Sequence, residues 1–353
     1  MPTAATKLDD PLPAFRAHLD AVRREVDARL ARVWDDTLAA LAPHGDAVTQ
    51  MASTARDLTM RGGKRFRAGM LVAAFAGVAP RASIDPALTA AVALELLQSY
   101  LLAQDDWMDD DPVRRGGPSA HAALTARFGD AHLGACSAML AGDLTWGLAV
   151  RTLTRARVKP DRKLRALELF CAVHQDVIAG QQIDILGRSE DVEAMHMLKT
   201  GSYTVRGPLL LGATLAAAPK RALDGLARYA APLGVAFQLR DDLLGAFASE
   251  AETGKREGSD LRAGKRTAVV ASAEGLLSEK GRAALDRAFG HPEASDVEVR
   301  EATRALDECG ARAAVEARLR ALCSEATALA GKLPVSDRSR RIFAGAALAL
   351  LPS

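Results

Sequence analysis

The chain has 353 residues, of which 49% are hydrophobic and 25% charged, with a net charge of +2. Those values suit one large or two ordinary globular domains, and they exclude a strongly basic nucleic-acid binder, since no overall field of one sign exists. Aromatic residues make up only 4%, which favours helix over sheet because aromatic and β-branched residues drive strands.

Residues 1–12 are polar, carry Asp9 and Asp10, and read as a flexible N-terminus without a signal peptide. One helical domain is expected over 13–353. Phe15, Leu19, Val22, Val26, Leu30 and Val33 recur at three- and four-residue spacing, which predicts an amphipathic helix over 13–42. Helical patterns follow at 46–60, 65–78, 86–111, 119–128, 131–157, 161–188, 191–202, 204–217, 221–247, 265–277, 279–289, 296–309, 311–331 and 336–350. Pro and Gly punctuate these stretches, and no convincing strand is visible. The expected fold class is therefore all-α, a single-domain antiparallel helix bundle. Cys136, Cys171, Cys309 and Cys323 form no CxxC pair and read as buried, reduced thiols of a cytoplasmic protein. No uninterrupted apolar run reaches membrane-spanning length, and the apolar tail 342–352 reads as buried.

Two acidic segments carry the chemistry. One is Asp105-Asp106-Trp107-Met108-Asp109-Asp110-Asp111, and the other is Gln238-Leu239-Arg240-Asp241-Asp242. Each ends an apolar, helix-like run. Crowded carboxylates raise one another's pKa, so a fold keeps them where something cationic neutralises them. On a helix, at about 100° per residue, Asp105 and Asp109 lie one turn apart on one face. Asp106 and Asp110 repeat the pairing. These hard oxygen donors, without His or Cys, suit magnesium, which binds one or two carboxylates and fills its octahedron with water and phosphate. A solvated acidic helix end is the bland alternative for either segment alone.

Three basic segments accompany them. Arg61-Gly62-Gly63-Lys64-Arg65-Phe66-Arg67 places a glycine turn and cations at a helix start, which suits an anion. Arg114 and Arg115 follow the first acidic segment directly, where they either hold phosphate or bridge the neighbouring aspartates. Residues 253–267 form a glycine-spaced loop carrying Lys255 and Lys265 that suits a lid over an anion. It lacks the pattern of a P-loop. Together these segments describe a site for a diphosphate with a hydrocarbon tail.

On these residues the chain resembles the trans-isoprenyl diphosphate synthases (polyprenyl synthetases), with the match running over roughly 55–270. The family's DDxxD followed by RRG stands here as Asp105-Asp106-Trp107-Met108-Asp109 with Arg114-Arg115-Gly116. Its GGKRxRP segment is Gly62-Gly63-Lys64-Arg65-Phe66-Arg67-Ala68, and its GQxxD is Gly180-Gln181-Gln182-Ile183-Asp184. The KT pair is Lys199-Thr200, FQxxDDxxD spans 237–245, and the closing GKxxGxDxxxGKxT spans 254–267. Two positions depart from the pattern: Gly245 replaces the last aspartate of the second motif, and Gln98 replaces a histidine upstream of the first.

The resemblance implies an isoprenoid-synthase bundle around a deep central cavity, active as a homodimer. It implies head-to-tail condensation of an allylic diphosphate with isopentenyl diphosphate, with two or three magnesium ions held by Asp105, Asp109 and Asp241, and Asp106 and Asp242 in support. Arg114, Lys199, Lys255 and Lys265 are then assigned to the allylic diphosphate. Lys64, Arg67, Arg115 and Gln98 are assigned to isopentenyl diphosphate. Thr200 and Gln238 lie near the developing cation. Tyr100 and Leu101, one turn before Asp105, are expected to floor the tail pocket and give a farnesyl or geranylgeranyl product. The rival readings are a class I terpene cyclase, which Gly62 to Arg67 and Lys199-Thr200 oppose, and a non-catalytic subunit of a heteromeric synthase, which the intact first motif opposes.

Overall fold

The computed structural model describes residues 10–186, 197–249 and 256–352. Helix α1 (Pro11–Leu41) is capped by Asp10, whose carboxylate accepts the Leu12 N–H at 3.2 Å. It thus begins inside the segment assigned to a flexible terminus, while residues 1–9 lie outside the described residues. Next come α2 (Asp46–Met60), α3 (Phe66–Val78) and α4 (Asp85–Met108). A two-residue ribbon, β1 (Val113–Arg114) with β2 (Gly117–Pro118), pairs antiparallel. This ribbon corrects the strand-free expectation, and two-residue strands are too short to leave an alternating pattern.

Helices α5 (Ala120–Phe128), α6 (Ala131–Thr154) and α7 (Pro160–Leu186) follow. The π-wound α8 (Met197–Arg206) runs straight into α9 (Gly207–Leu215). The long α10 (Lys220–Phe247) comes next. Two short helices, α11 (Ser259–Arg262) and α12 (Ala268–Ala273), precede α13 (Glu279–Ala288), α14 (Asp296–Glu308), α15 (Ala311–Gly331) and α16 (Asp337–Leu348). The helix expected over 265–277 shortens to α12 because Thr267 caps it, its hydroxyl accepting the Val270 N–H. The parts of expected helices that fall on 187–196 lie outside the described residues.

Helix α3 joins two cores. Met70, Ala73 and Ala74 face one built with α9, α10 and the C-terminal helices. Leu71, Val72 and Phe75 face another built with α1, α4, α6 and α7. A helix buried on all sides needs an apolar circumference, and Ala68 to Phe75 supply it. Helix α4 is the axis of the second core, packed on α3, α5, α6 and α9. Helices α4 and α6 are long and apolar enough to cross a membrane, but 78% of the most apolar window of α4 is buried inside the bundle. The tail is buried as expected, through Ile342, Phe343, Ala346 and Leu350. Arg240 of α10 clamps it by donating to the Leu350 and Leu351 carbonyls at 2.6 and 2.8 Å. All four thiols are free, but of the four expected to be buried only Cys323 is; Cys171 and Cys309 are half-buried and Cys136 is exposed.

Candidate active site

The first acidic segment ends α4. Asp105 and Asp106 lie on its last turn, and Asp109 caps it, donating its N–H to the Asp105 carbonyl at 2.8 Å. Asp110 takes a left-handed φ of 54° that turns the chain toward the ribbon. Asp106 is fully buried, and Arg114 on β1 reaches back to it, with Nε donating to Oδ1 at 2.6 Å. The same guanidinium lies 3.6 Å from Asp105 and 3.4 Å from Asp111. Burial pushes the Asp106 carboxyl up despite this partner. Arg114 is therefore occupied as a brace between carboxylates.

Asp105 and Asp109 face lysines from distant segments. Lys199 of α8 lies 3.1 Å from Asp105 and 2.5 Å from Asp184 of α7. Lys265, just past α11, lies 2.7 Å from Asp109. Burial pushes the Asp105 carboxyl up, but Lys199, Lys265 and Arg114 outweigh it and the pKa is lowered. Lys265 is driven the other way: burial disfavours its charge, Asp109 outweighs that, and its pKa is raised. Gly180 permits this arrangement, since a Cβ there would lie 2.4 Å from the Lys199 backbone nitrogen. Asp184, the aspartate of the Gly180 motif, is thus a partner of Lys199.

The second acidic segment is wired differently. Asp242, 2% exposed, accepts the Ala268 N–H and the Gln238 side-chain amide, both at 2.7 Å. Burial is the main cause of a carboxyl pKa raised to about 6, with Asp260 adding like charge. Asp241 is exposed.

The basic turn separates its cations into two kinds. Gly62 and Gly63 take φ of 84° and 137°, conformations that favour glycine. Arg65 follows at φ 49°, 3% exposed, bonded at 2.8 Å to both Asp27 and Glu95. It is structural. Arg67 donates to the Thr204 hydroxyl at 2.7 Å and stacks 4.2 Å over the Tyr203 ring. Arg115 donates to the Gly62 carbonyl at 2.6 Å. Burial lowers its pKa first, and the nearby Arg65, Arg67 and Arg114 lower it further. A guanidinium held among like charges is a place that an anion stabilises. Lys64, next to Gly63 in the turn, is exposed. Gln98 is 5% exposed and accepts the Tyr203 hydroxyl at 2.7 Å, so it touches Arg67 through one intermediary.

Below the first acidic segment, Tyr100 sits in an aromatic group. Its ring lies 5.9 Å from Trp146 and 5.2 Å from His174, and Trp146 stacks on Phe170 at 5.6 Å. Burial lowers the His174 pKa, and its Nε2 has no hydrogen-bond partner. Leu101 packs against the same core as Tyr100 and also toward Val173, Val177 and Tyr203. Trp146, Phe170 and His174 were not legible as site residues, because they lie on α6 and α7, far from Tyr100 in sequence. Lys255 lies outside the described residues, and of Thr200 only the backbone is described.

The donor set fits magnesium. Among the described residues no three His, Cys, Asp or Glu side chains are grouped to hold an ion; Asp105 and Asp109 are hard oxygen donors of the kind that magnesium takes together with phosphate oxygens. Asp106 Oδ2 and Gln238 Oε1 are buried without hydrogen-bond partners. The carboxylates Asp105 and Asp109 are held by the ammonium groups of Lys199 and Lys265. An open depression lined by Thr54, Asp57, Met60, Arg61, Pro118 and Ala123 holds no carboxylate of either acidic segment, so the chemistry is not placed there.

Comparison with known proteins gives the family. Residues 48–306 match the polyprenyl synthetase family. A geranylgeranyl diphosphate synthase of Methanosarcina mazei is 33% identical over 74% of this chain and 77% of its own length. A farnesyl diphosphate synthase of Escherichia coli is 33% identical over 72% and 83%. The crystal structure of a Corynebacterium glutamicum geranylgeranyl pyrophosphate synthase, complexed with isoprenyl diphosphate and magnesium, superposes with a TM-score of 0.88 at 30% identity, over 94% of this chain and 98% of that one. With these matches and its all-α fold, the chain belongs to the polyprenyl synthetase family and is a prenyltransferase.

Proposed function

We propose that the enzyme condenses an allylic diphosphate with isopentenyl diphosphate head to tail, releases diphosphate, and stops at a farnesyl or geranylgeranyl product. The observation that carries this is the separation of two anion-binding regions. Lys199 and Lys265 stand at Asp105 and Asp109, while Lys64, Arg67 and Arg115 gather at the glycine turn. One diphosphate suits each region. Asp105, Asp109 and Asp241 would hold magnesium, which would supply charge neutralisation for the leaving diphosphate.

The chain's own groups do the rest. Lys199 and Lys265 exchange their carboxylate partners for diphosphate oxygens and steady the charge that develops on them. Arg67, set by Thr204 and Tyr203, and Arg115, set by Gly62, orient isopentenyl diphosphate. The unpartnered Gln238 Oε1 is an oxygen dipole available to the allylic cation. The double bond of isopentenyl diphosphate attacks that cation, and the released diphosphate accepts the proton lost from the adduct. Tyr100, backed by Trp146 and His174, limits the tail. A homodimer is supported by apolar side chains left exposed along α6, Leu133 and Leu140 among them. Free thiols support a cytoplasmic setting.

The test is elongation of labelled isopentenyl diphosphate on dimethylallyl, geranyl and farnesyl diphosphate with magnesium. Magnesium-dependent products of fifteen or twenty carbons support the proposal, and absence of elongation on every primer overturns it.

A further inference from the structure

Seven basic residues and one acid fall within residues 151–165, although the whole chain carries a net charge of only +2. They surround the turn that joins α6 to α7. The one acid, Asp161, is paired with Arg165 at 2.8 Å. Arg151, Arg155, Arg157 and Lys159 are exposed, and Arg162 and Lys163 are half-buried. Among the described residues these six form no ion pair. Ala156 is buried and Val158 packs on the second core, so the turn that carries the cations is anchored.

The cluster stands at the far end of the bundle. Tyr100 meets Trp146, and a Cβ on Gly142 would touch the Gln104 side chain, so α4 and α6 run antiparallel. The end of α6 therefore lies by the start of α4, at the pole away from Asp105. Helix α7 leaves the same turn and reaches the acidic site only at Asp184, about 36 Å further on at about 1.5 Å per residue.

Local electrostatics does not account for these charges. A helix C-terminus favours cations, which explains Arg151 and Arg155 at the close of α6. A helix N-terminus disfavours them, yet Arg162 and Lys163 stand in the first turn of α7. Leu164, between Lys163 and Arg165, is 59% exposed, and Ile84 at the start of α4 is 42% exposed, following the exposed Arg81. Cations interleaved with exposed aliphatic side chains suit lipid headgroups and the apolar layer beneath them. Residues 151–165 hold no aromatic side chain on which the bases of a single strand would stack.

We propose that this pole docks on an anionic phospholipid bilayer. The cations engage headgroup phosphates, each adding about fivefold to partitioning, and Leu164 enters the interface. The group of Tyr100, Trp146 and Phe170 lies between the acidic site and this pole. On the prenyltransferase reading above, on which this clause alone rests, the tail of a bound isoprenoid points toward the bilayer.

Sedimentation of the full-length chain with vesicles, in the absence of substrate, tests the docking. Wild type should pellet with phosphatidylcholine vesicles that contain phosphatidylglycerol and stay in solution with pure phosphatidylcholine. It should come off the anionic vesicles as salt rises from about 0.1 M to about 1 M. Arg155→Glu with Arg157→Glu and Lys159→Glu should bind at least about tenfold more weakly, with the melting temperature and the elongation rate in solution of wild type. Arg300→Glu with Arg304→Glu, a like change at exposed positions on α14, should bind as wild type. Equal sedimentation with both lipids, or an equal loss in the α14 variant, would overturn the proposal. So would a preference for single-stranded RNA over the anionic vesicles in competition. If the triple variant does not fold, Lys159→Gln with Arg162→Gln decides in the same terms. Binding to anionic vesicles by a chain that elongates no primer would uphold the docking and overturn the prenyltransferase reading instead.

Discussion

The two acidic segments end comparable helices yet serve different ends. At the close of α4, Asp105 and Asp109 meet lysine side chains from α8 and from the turn after α11, contacts that a ligand can displace. Near the close of α10, Asp242 is bonded to the backbone of α12 and to its own helix through Gln238. The first segment receives charge, and the second ties the 256–273 stretch to the bundle. The same residue pair, two aspartates after an apolar run, takes its role from what packs over it. A lysine tip leaves a carboxylate available, whereas a buried N–H commits it.

The comparison is broken most severely at Asp105. Asp105→Ala should cut elongation by about 10²–10³ or more, the scale of removing a group that stabilises transition-state charge. Asp242→Asn, which keeps an acceptor for Ala268, should lose less in the same assay, and equal losses would erase the distinction. Next is the brace. Arg114→Ala leaves Asp106 buried without its cation and should cost roughly 3–5 kcal/mol in urea unfolding. A loss under about 1 kcal/mol would mean that Asp106 simply binds its proton.

Asp242 itself offers a pH test. Its folded pKa is raised from 3.8 to about 6. The protonated form is the favoured one in the fold, so its contribution is fully present below about pH 3.8 and is lost as pH rises through about 6. Asp242→Asn should therefore be more stable than wild type at pH 7.5, by on the order of 2–3 kcal/mol of unfolding free energy, with the gap closing toward pH 4. A gap independent of pH would contradict the wiring described for this residue. A gentler change sharpens the role of α4. Tyr100→Ala should lengthen the product by at least one isoprene unit in chromatography of dephosphorylated chains, and Trp146→Ala should do the same. Unchanged lengths would make the aromatic group plain core. The smallest effect is at the surface, where Leu140→Glu on α6 should halve the mass seen by light scattering without unfolding the chain, and an unaltered mass would place the dimer contact elsewhere.

Much of this was readable from sequence. Periodicity located α2 and α15 to the residue, since each is bounded by clear stops, Gly45 and Arg61 for one and Gly310 and Lys332 for the other. The carboxylates and most basic residues of the site were also legible, because chemistry concentrated in short segments needs no tertiary information. What escaped was set by partners remote in the chain. Arg114 reads equally as a phosphate ligand or a brace until Asp106 is seen buried beneath it. Arg65 and Arg67 look alike in a basic run, but one meets Asp27 and Glu95 and the other meets Tyr203. The π-wound α8 keeps a helical composition, so only the structure shows its altered winding against α7. That a Cβ at Gly245 would meet the Asp260 carboxylate is likewise visible only in the structure.

The most direct test of the central claim is transfer of labelled isopentenyl diphosphate to each allylic primer by the purified chain, with magnesium and with chelator. The account predicts elongation with magnesium, none with chelator, and none in Asp105→Ala. Elongation that persists in chelator or in Asp105→Ala would contradict it.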